Sequence, residues 1–553
     1  MKRASFFPWV HATSCLAVFA ALALHSQPAW GQVETGVAAE GLIAAGDIAA
    51  VIEHGTRLER ERRWADALTH YEEALRIHPS RSDLQERLVL ARSHYDVCRR
   101  YADTSFTTAV DSLTDKNALA IYDEVLLKIN THYVHQPNWQ ELFRRGTTTL
   151  DTALTEGAFT DRHLARLSQP QITAVRQELK RLAGNAVVND RRKAIEMVDS
   201  VAHLLQQKFG ASSAALILEY TCGAAGSLDD YSGFLTTSQM DEVFSQIEGN
   251  FVGLGVELKT EEAGLLIVNV IGTGPAYQAG IRPGDRIVAV EGKTTKQVSP
   301  DALADMLRGE EGTQATVQVL GTDHKTRQLS VIRRRVEVPS VDDVKIIDED
   351  YHIGYFKLTS FQKTTPRDVD AALWKLHELG MRSLVIDLRG NPGGLLKAAV
   401  DVADKFVMDG MIVATRGRSP REDFDHKGQI AGSWRVPLVI LVDHDSASAS
   451  EILAGAIQDH RRGSIVGEKS YGKGSVQGIF PLAATSVGVR LTTAKWYTPA
   501  GQPISGHGVT PDVTVRVAAK PPADKVVPAG GINADDAILR AGLQVARANL
   551  SRK

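Results

Sequence analysis

Two short apolar runs in the second half of the chain are each followed by a turn of small residues and then an amphipathic stretch. Ser383–Leu388 and Val436–Val442 are rich in β-branched side chains, which is typical of strands buried on both faces of a sheet. The first run leads through Arg389–Gly394 into an apolar stretch that begins at Leu395. The second leads through a serine-rich turn into Glu451–Gln458, where apolar residues recur at helical spacing. The pattern predicts two strand–turn–helix units of an α/β domain.

The first half of the chain has helical periodicity instead, and residues 106–225 are predicted to be mostly helical. Within residues 48–81, small and aromatic residues occupy the spacings of a tetratricopeptide repeat of roughly 34 residues. They are Gly55, Ala67, Tyr71, Ala74 and Pro79. One repeat cannot bury its own apolar face, so it must pack on a neighbour in this chain or on another subunit. A helical hairpin that matches the repeat by chance is the alternative.

Three serines in the second turn are candidate nucleophiles: Ser446, Ser448 and Ser450. A serine hydroxyl needs a base to take its proton, and Lys473, which lies between two glycines, can be that base if its surroundings keep it neutral. A serine at the start of a helix also lies beside free N–H groups, which stabilise developing negative charge. The alternative is that the serines only cap the helix, because serine is a favoured N-cap residue.

Histidine is an alternative base. His460 would lie about 18 Å along a continuous helix from Ser448. His444 is closer, at the end of the preceding strand, but no carboxylate in the sequence is clearly placed to orient it.

The glycine pair in the first turn has two interpretations. It lets the backbone approach a ligand closely and points N–H groups into the crevice at the strand ends. An ordinary turn has the same composition.

Four separate motifs resemble those of the C-terminal processing (tail-specific) serine peptidases. They are Asp387-Leu-Arg-Gly-Asn-Pro-Gly-Gly394, Ser446-Ala-Ser-Ala-Ser-Glu451, Gly472-Lys-Gly-Ser-Val-Gln477 and Gly508-Val-Thr-Pro-Asp512. Ile353–Phe361 resembles the opening strand of that family's catalytic domain. Ser227–Ser232 resembles the segment ahead of its PDZ domain, although the proline usual after the two aspartates is absent. The resemblance covers residues 117–150 and 225–545, and it implies a core of the ClpP/crotonase type.

The resemblance assigns roles to individual residues. Ser448 would be the nucleophile, Lys473 the general base, and Gln477 the hydrogen-bond partner that holds the lysine amine. The N–H of Ala449 and an N–H from the pair Gly393-Gly394 would form the oxyanion hole.

One geometric condition follows from these roles. In a regular strand Lys473 and Gln477 would stand about 13 Å apart. The chain is therefore predicted to bend at Gly474 or Ser475, so that the two side chains can meet.

Residues 250–257 and 274–292 resemble a PDZ domain, with a short helix at Pro275–Ala279 and a second helix at Ala302–Arg308. The resemblance implies a loop whose amides receive a peptide's terminal carboxylate while the peptide adds as a strand. The loop comprises Phe251, Val252, Gly253, Leu254, Gly255 and Val256. The predicted partners are protein substrates with apolar C-terminal tails. A PDZ-shaped spacer without a ligand is the alternative.

The N-terminus has the pattern of a secretory signal peptide. Met1-Lys-Arg3 is positive, Cys15–Leu24 is apolar, and Ala29–Gly31 offers small residues before a cut ahead of Gln32. The apolar run is shorter than the roughly twenty residues that span a bilayer. The mature protein is therefore expected outside the cytoplasm, in the periplasm or secreted, with an uncleaved membrane anchor as the alternative.

Charge and cysteine content argue against a nucleic-acid-binding protein and against a disulfide-rich or metal-binding protein. A net charge of −3 with 23% charged residues provides no basic field for nucleic acid. Beyond the signal peptide the cysteines are Cys98 and Cys222, which are too few for a disulfide scaffold. Neither cysteine has other metal-ligating residues at a suitable spacing in the sequence. We therefore expect neither a metal nor a cofactor. Whether the two thiols pair is open.

The sequence thus predicts a multidomain α/β protein: a secreted serine endopeptidase with a Ser/Lys dyad that captures C-termini through a PDZ domain. The predicted divisions are a signal peptide (1–31), a tetratricopeptide-like region (40–105), a helical region (106–245), a PDZ domain (246–338), a peptidase core (339–518), and a tether with a last helix (519–553). The rival hypotheses are a non-catalytic ligand-binding protein on the same fold and a PDZ/tetratricopeptide scaffold. A protein partner for the tetratricopeptide-like region and a homo-oligomer are further expectations.

Overall fold

The computed structural model describes residues 17–18, 48–261, 264–294, 297–298, 303–304, 306–429, 434–483, 485–516 and 536–551. The predicted signal peptide lies outside the described residues except for a short strand, β1 (Ala17–Val18). The predicted tether at Pro521–Gly531 also lies outside them. Within the described ranges no helix is both long and apolar enough to cross a membrane.

Ten helices form the N-terminal part of the described chain. They are α1 (Ile48–Arg60), α2 (Trp64–Ile77), α3 (Ser82–Ala102), α4 (Thr104–Ser112), α5 (Asp115–His132), α6 (Trp139–Ala153), α7 (Gly157–His163), α8 (Gln169–Gly184), α9 (Arg191–Phe209) and α10 (Ser213–Gly226). Helix α10 is buried almost throughout and packs on α5, α6 and α9. Its crossing with α6 depends on two glycines, because a Cβ on Gly223 would lie 2.8 Å from the Cα of Gly146.

Helices α1 and α2 form the hairpin predicted at residues 48–81. Gly55 is required under the ring of Tyr71, since a Cβ at Gly55 would meet that ring at 2.3 Å. Helix α3 of the same chain covers the apolar face of the hairpin with Leu84 and Ala91. The neighbour that a single repeat needs is therefore supplied within this chain.

A sheet with its own apolar core occupies the region predicted as a PDZ domain. Its strands are β4 (Val256–Glu261), β5 (Gly264–Val270), β6 (Arg286–Val290), β7 (Lys293–Thr294), β8 (Gln314–Leu320) and β9 (Thr326–Ile332), in the order β4-β5-β6-β8-β9 with β7 beside β6. The helix α12 (Pro275–Gln278) lies at the predicted position, and the predicted helix at Ala302–Arg308 falls partly outside the described residues. A separate pair, β3 (Asn250–Gly253) with β10 (Arg334–Glu337), joins the two ends of this region.

The peptidase region is built on a second sheet. Its order is β11 (Val341–Asp348), β12 (Ile353–Leu358), β13 (Ser383–Asp387), β16 (Leu438–Val442), β17 (Ser464–Gly467) and β20 (Val513–Thr514). The strands are parallel except β11. Helices α13 (Thr365–Glu378), α14 (Leu396–Asp404) and α15 (Ala449–Asp459) share one core with alternate strand residues, and α16 (Ala537–Ser551) covers the remaining strand residues.

A third sheet completes the core. It contains β14 (Met411–Gly417), β15 (Phe424–Lys427), β18 (Ser475–Pro481), β19 (Gly488–Tyr497) and β2 (Gly233–Leu235), while β1 pairs with β18. Helix α11 (Thr237–Glu248) follows β2. The sequence assigned residues 233–235 to the helical region, whereas they form a strand on β19.

The two predicted strand–turn–helix units lie side by side. Strands β13 and β16 are adjacent and parallel, with Ile386 opposite Ile440. Their carboxyl ends therefore reach the same edge of the sheet, and the glycine turn and the serine turn meet there.

Candidate active site

Ser448 lies where β16 gives way to α15. Its φ of 57° and ψ of −112° are a backbone conformation that L-residues rarely adopt. The side chain is fully buried, and no other described residue hydrogen-bonds its Oγ. A buried hydroxyl without a partner calls for a functional explanation, and a nucleophile that waits for its substrate is such an explanation.

The two neighbouring serines have structural partners. Ser446 Oγ donates to the carbonyl of Leu388 at 2.9 Å, and Ser450 Oγ donates to the carbonyl of Asn391 at 2.9 Å. Both hydrogen bonds join the serine turn to the glycine turn that follows β13. The tertiary structure therefore gives a physical reason to prefer Ser448, the serine that the family resemblance indicates, over its two neighbours.

Lys473 lies in the connection between β17 and β18, and only 4% of it is exposed. Burial, followed by the positive charge of Arg490, lowers the pKa of Lys473 to about 7, against the opposing effect of Glu451 and Asp229. A substantial share of the amine is then neutral at physiological pH and can accept a proton.

One carboxylate connects the two candidate catalytic residues. Glu451 Oε2 accepts the N–H of Ser448 at 2.8 Å and the N–H of Lys473 at 2.9 Å. Its Oε1 accepts the hydroxyl of Ser470 and the N–H of Gly472, both at 2.6 Å. Burial raises the pKa of Glu451, and these four donors oppose the rise. Two turns that are separate in the sequence are thus held on one side chain.

Replacing Glu451 by glutamine is expected to lower kcat about 100-fold, because displacements of about 1 Å at a catalytic group can cost this much. The glutamine NH₂ would face two N–H or O–H donors that now bind a carboxylate oxygen, so we also expect a lower Tm. Peptide hydrolysis and thermal unfolding measure the two effects. Glu468→Gln, in the same region but partly exposed, is the matched control and should behave like the wild type. Equal activity of the two variants would contradict this role of Glu451.

The predicted hydrogen bond between Gln477 and the lysine amine is not formed in this arrangement. Gln477 Nε2 donates to Ser475 Oγ at 2.9 Å, and its Oε1 has no hydrogen-bond partner among the residues that the structure describes. The chain does leave regular strand geometry here, since β18 begins only at Ser475 and its register against β19 shifts after Val476. Ser475 and Gln477 are two residues apart in β18 and therefore lie on the same face, which brings the amide to the Ser475 hydroxyl. A role for Gln477 toward Lys473 stays a prediction.

Two of the predicted oxyanion-hole residues, Gly393 and Ala449, adjoin the nucleophile, whereas Gly394 packs against Phe361. A Cβ on Gly393 would come within 2.8 Å of Ser448 Cβ and 2.9 Å of Ala449 N, so only glycine fits there. A Cβ on Gly394 would come within 2.0 Å of a main-chain carbonyl oxygen. Ala449 N–H is the first amide of α15 and has no acceptor within the helix. The N–H of Gly393 is engaged, because it donates to Asn391 Oδ1 at 2.8 Å.

The histidines are poorly placed to act as the base. His460 caps the far end of α15 and hydrogen-bonds a main-chain carbonyl there. The side chain of His444 is 75% exposed. Asp445 and Glu468 lie 3.4 and 3.6 Å from its ring nitrogens, so two carboxylates stand near a ring for which the sequence offers no clearly placed partner. Neither histidine shares the carboxylate of Glu451 that links the main chains of Ser448 and Lys473.

Residues 352–515 match peptidase family S41, and residues 266–320 match the PDZ domain. The carboxy-terminal-processing protease of Bartonella bacilliformis is 39% identical over 299 residues, which span 52% of this chain and 67% of that protein. The chain belongs to peptidase family S41. The carboxyl-terminal-processing protease of Synechocystis sp. is 36% identical over 268 residues, spanning 48% of this chain and 62% of that protein. Among solved structures, the photosystem II D1 C-terminal processing protease is 25% identical, with a TM-score of 0.37 over 73% of this chain and 94% of that one.

Membership in S41 confirms the family and the fold class predicted from the motifs: a helical N-terminal region, a PDZ domain and an S41 peptidase core. The chain is accordingly a serine-type peptidase of the carboxy-terminal-processing kind.

Sequence reasoning missed three residues at the S41 site: Glu451, Tyr231 and Arg490. Glu451 stands in the serine motif but attracts notice only as a first-turn acid of a helix. Tyr231 belongs to the segment Ser227–Ser232, which is part of the family resemblance, but the resemblance assigns no role to this tyrosine. No sequence pattern singles out Arg490, whose charge acts on Lys473 only through the fold.

The predicted carboxylate loop of the PDZ domain is shorter than Phe251–Val256. Its first half belongs to β3, because pairing with β10 draws Phe251, Val252 and Gly253 into a strand. Val256 begins β4, so Leu254 and Gly255 alone connect the two strands. Gly255, with a φ of 79°, makes the turn.

Proposed function

We propose that this chain is an extracytoplasmic peptidase that captures protein C-termini with its PDZ domain and cleaves near them with Ser448 and Lys473. One observation supports the proposed roles of Ser448 and Lys473 in catalysis. A buried hydroxyl on strained backbone and a buried amine with a pKa near 7 have their main chains bonded to the same oxygen of Glu451.

In the proposed acylation step, Ser448 Oγ attacks the scissile carbonyl carbon and its proton passes to Lys473 Nζ. The C–O bond forms as the carbonyl becomes a tetrahedral oxyanion. The lysine ammonium then returns the proton to the leaving amine as the C–N bond breaks. Water then attacks the acyl ester of Ser448 and gives a proton to Lys473 Nζ. The bond between the acyl carbon and Ser448 Oγ breaks as the lysine ammonium returns the proton to Oγ, which releases the carboxylic acid product.

The oxyanion would be bound by Ala449 N–H and by a glycine N–H of the turn after β13. Gly393 lies closest to the nucleophile, and its N–H is held by Asn391. We therefore propose that substrate entry draws this N–H away from Asn391 Oδ1 toward the oxyanion. The exchange replaces one hydrogen bond by a charge-assisted one, which is about twice as strong.

Substrate delivery is assigned to the PDZ sheet. Strand β4 has β5 on one side and lies at the edge of the sheet, so an extended peptide can add beside it. Leu254 and Gly255 precede β4, where the peptide's terminal carboxylate would meet main-chain amides.

Location and assembly remain predictions from the sequence. The signal-peptide pattern at residues 1–31 supports export, with a periplasmic or secreted mature protein. The hairpin α1–α2 is proposed to contact a protein partner. A homo-oligomer is a further predicted state.

The substrate proposal is tested with a model protein that ends in an apolar tail, and mass spectrometry of its products. Cleavage near the tail is expected. Amidating the terminal carboxylate should lower kcat/KM about ten- to hundredfold, because a hydrogen bond to a charged group is worth about 1.5–3 kcal/mol. Equal rates for the free acid and the amide would mean that the PDZ domain does not read C-termini here. A free-acid substrate left intact would contradict the peptidase itself.

Removing the PDZ domain tests whether it only tethers the substrate or also controls the activity of the catalytic site. Residues 250–337 can be replaced by a short Gly-Ser linker, because Val338 N already donates to Gly249 O at 2.8 Å. Short peptides should be cut at the wild-type rate if the domain only tethers, and faster if it inhibits. A loss of short-peptide cleavage with an unchanged Tm would show that it activates.

A further inference from the structure

The base is covered by a residue from a distant part of the chain. The Nζ of Lys473 lies 4.7 Å from the centroid of the Tyr231 ring, within the range of a cation–π contact. Tyr231 precedes β2 and is far from the four peptidase motifs in the sequence. The site is therefore completed by the segment that connects the helical region to the PDZ domain.

Hydrogen bonds hold the Tyr231 main chain in place from both sides. Asp229 Oδ1 accepts the N–H groups of Tyr231 and Ser232, each at 2.8 Å, which closes a tight turn. Arg490 Nε donates to the carbonyl of Tyr231 at 2.7 Å, and Thr492 N–H donates to Ser232 Oγ at 3.1 Å. The ring position is thus set by β19, which pairs with β18, the strand that begins two residues after Lys473.

An aromatic ring suits a lysine that must alternate between two charge states. The ring excludes water from one face of the amine, which favours the neutral form. It offers no carboxylate that would hold the proton permanently, and its negative face still stabilises the ammonium formed after proton transfer. Burial raises the pKa of Tyr231, so its phenol stays neutral and adds no charge.

The other groups that face the amine come from three elements. They are Arg490 on β19, Glu451 on α15, and Asp229 in the same turn as Tyr231. Arg490 disfavours the ammonium, whereas the two carboxylates favour it. None of them can shield the amine from water as a ring does.

We infer that Tyr231 is a positioning residue for the general base: its ring holds the Lys473 amine in place and keeps water from it. The inference rests on the proposed Ser/Lys mechanism and adds to it a group supplied by the segment before the PDZ domain.

The test uses the full chain and a short peptide substrate, with kcat and KM measured across the pH range. Tyr231→Phe keeps the ring and should retain kcat within about threefold. Tyr231→Leu should lower kcat about tenfold at neutral pH with little change in KM. The rising limb of its kcat–pH profile should shift toward higher pH by about one unit, because water reaches the amine and restores part of its ordinary pKa. Tyr351→Leu is the control, because it removes the ring of a partly exposed tyrosine between β11 and β12, outside the catalytic site. Its kcat and pH profile should match those of the wild type.

The outcomes separate this inference from the peptidase proposal. Circular dichroism and thermal unfolding establish which variants fold, and Tyr231→Met serves as the ring-free variant if leucine is not tolerated. A folded ring-free variant with wild-type kcat and pH profile would overturn the inference, as would a Tyr231→Phe enzyme as impaired as Tyr231→Leu. In either case the Ser/Lys mechanism would still stand if the wild-type enzyme cleaves the peptide and the Ser448→Ala variant does not.

Discussion

Replacing Ser448 by alanine is expected to abolish proteolysis, with kcat lowered by about 10⁴- to 10⁶-fold, as for other members of catalytic units. Alanine removes the Oγ that would attack the carbonyl and leaves the strained turn and its bond to Glu451 intact. The Tm should therefore stay close to that of the wild type. Single-turnover cleavage of a tailed protein, followed by mass spectrometry, measures the loss directly.

The neighbouring serines are the matched controls for this experiment. Ser446→Ala and Ser450→Ala each remove a buried hydrogen bond to the glycine turn, so each should cost about 1–3 kcal/mol of folding free energy. Their kcat should fall far less than that of Ser448→Ala, because neither hydroxyl is available to attack. Equal losses in all three variants would mean that the nucleophile is misassigned.

Replacing Lys473 by arginine is expected to be as damaging as replacing it by alanine. A guanidinium keeps its positive charge and cannot take the serine proton, since its pKa lies above about 12. Lys469→Arg makes the same substitution at an exposed lysine of the same connection and should leave activity unchanged. Peptide hydrolysis by the purified variants is the measurement. An active Lys473→Arg enzyme would rule out lysine as the base.

The lowered pKa of Lys473 also determines how the wild-type rate depends on pH. The protonated amine is inactive as a base, so activity should rise with pH as the neutral fraction grows through about pH 7. An ordinary lysine, with a pKa of about 10.4, would give a rise only in strongly alkaline solution. A kcat profile that is flat between mildly acidic and alkaline pH would contradict the assignment.

Local patterns in the sequence were enough for the elements that carry the site. The apolar run ending at Val442 and the one ending at Leu388 predicted the two strands, and the turns after them have the composition that strand-to-helix connections require. Parallel neighbours bring their carboxyl ends together, so the glycine and serine turns meet once the fold places β13 beside β16, as the family resemblance implied. The family could be predicted for the same reason, since each motif is a continuous stretch.

The PDZ loop and Gln477 were predicted less well. The first half of Phe251–Val256 is a strand because it pairs with β10, which lies some eighty residues later in the chain. Gln477 meets Ser475 because residues two apart in a strand lie on the same face. The strand β3 depends on a partner that short-range patterns do not contain, whereas the contact between Gln477 and Ser475 is itself short-range.

By itself, the sequence determined the strand–turn–helix units, the set of candidate serines, the lysine between its two glycines, and the family. Only the tertiary structure decided which serine is available, since it gives Ser446 and Ser450 acceptors and leaves Ser448 Oγ without a hydrogen-bond partner among the described residues. Only the tertiary structure brought Tyr231 and Arg490 to the amine of Lys473. The physical reason is that a pKa or a free hydroxyl is a property of the surroundings, and here the surroundings come from segments that are separate in the sequence, as Tyr231 and Lys473 are.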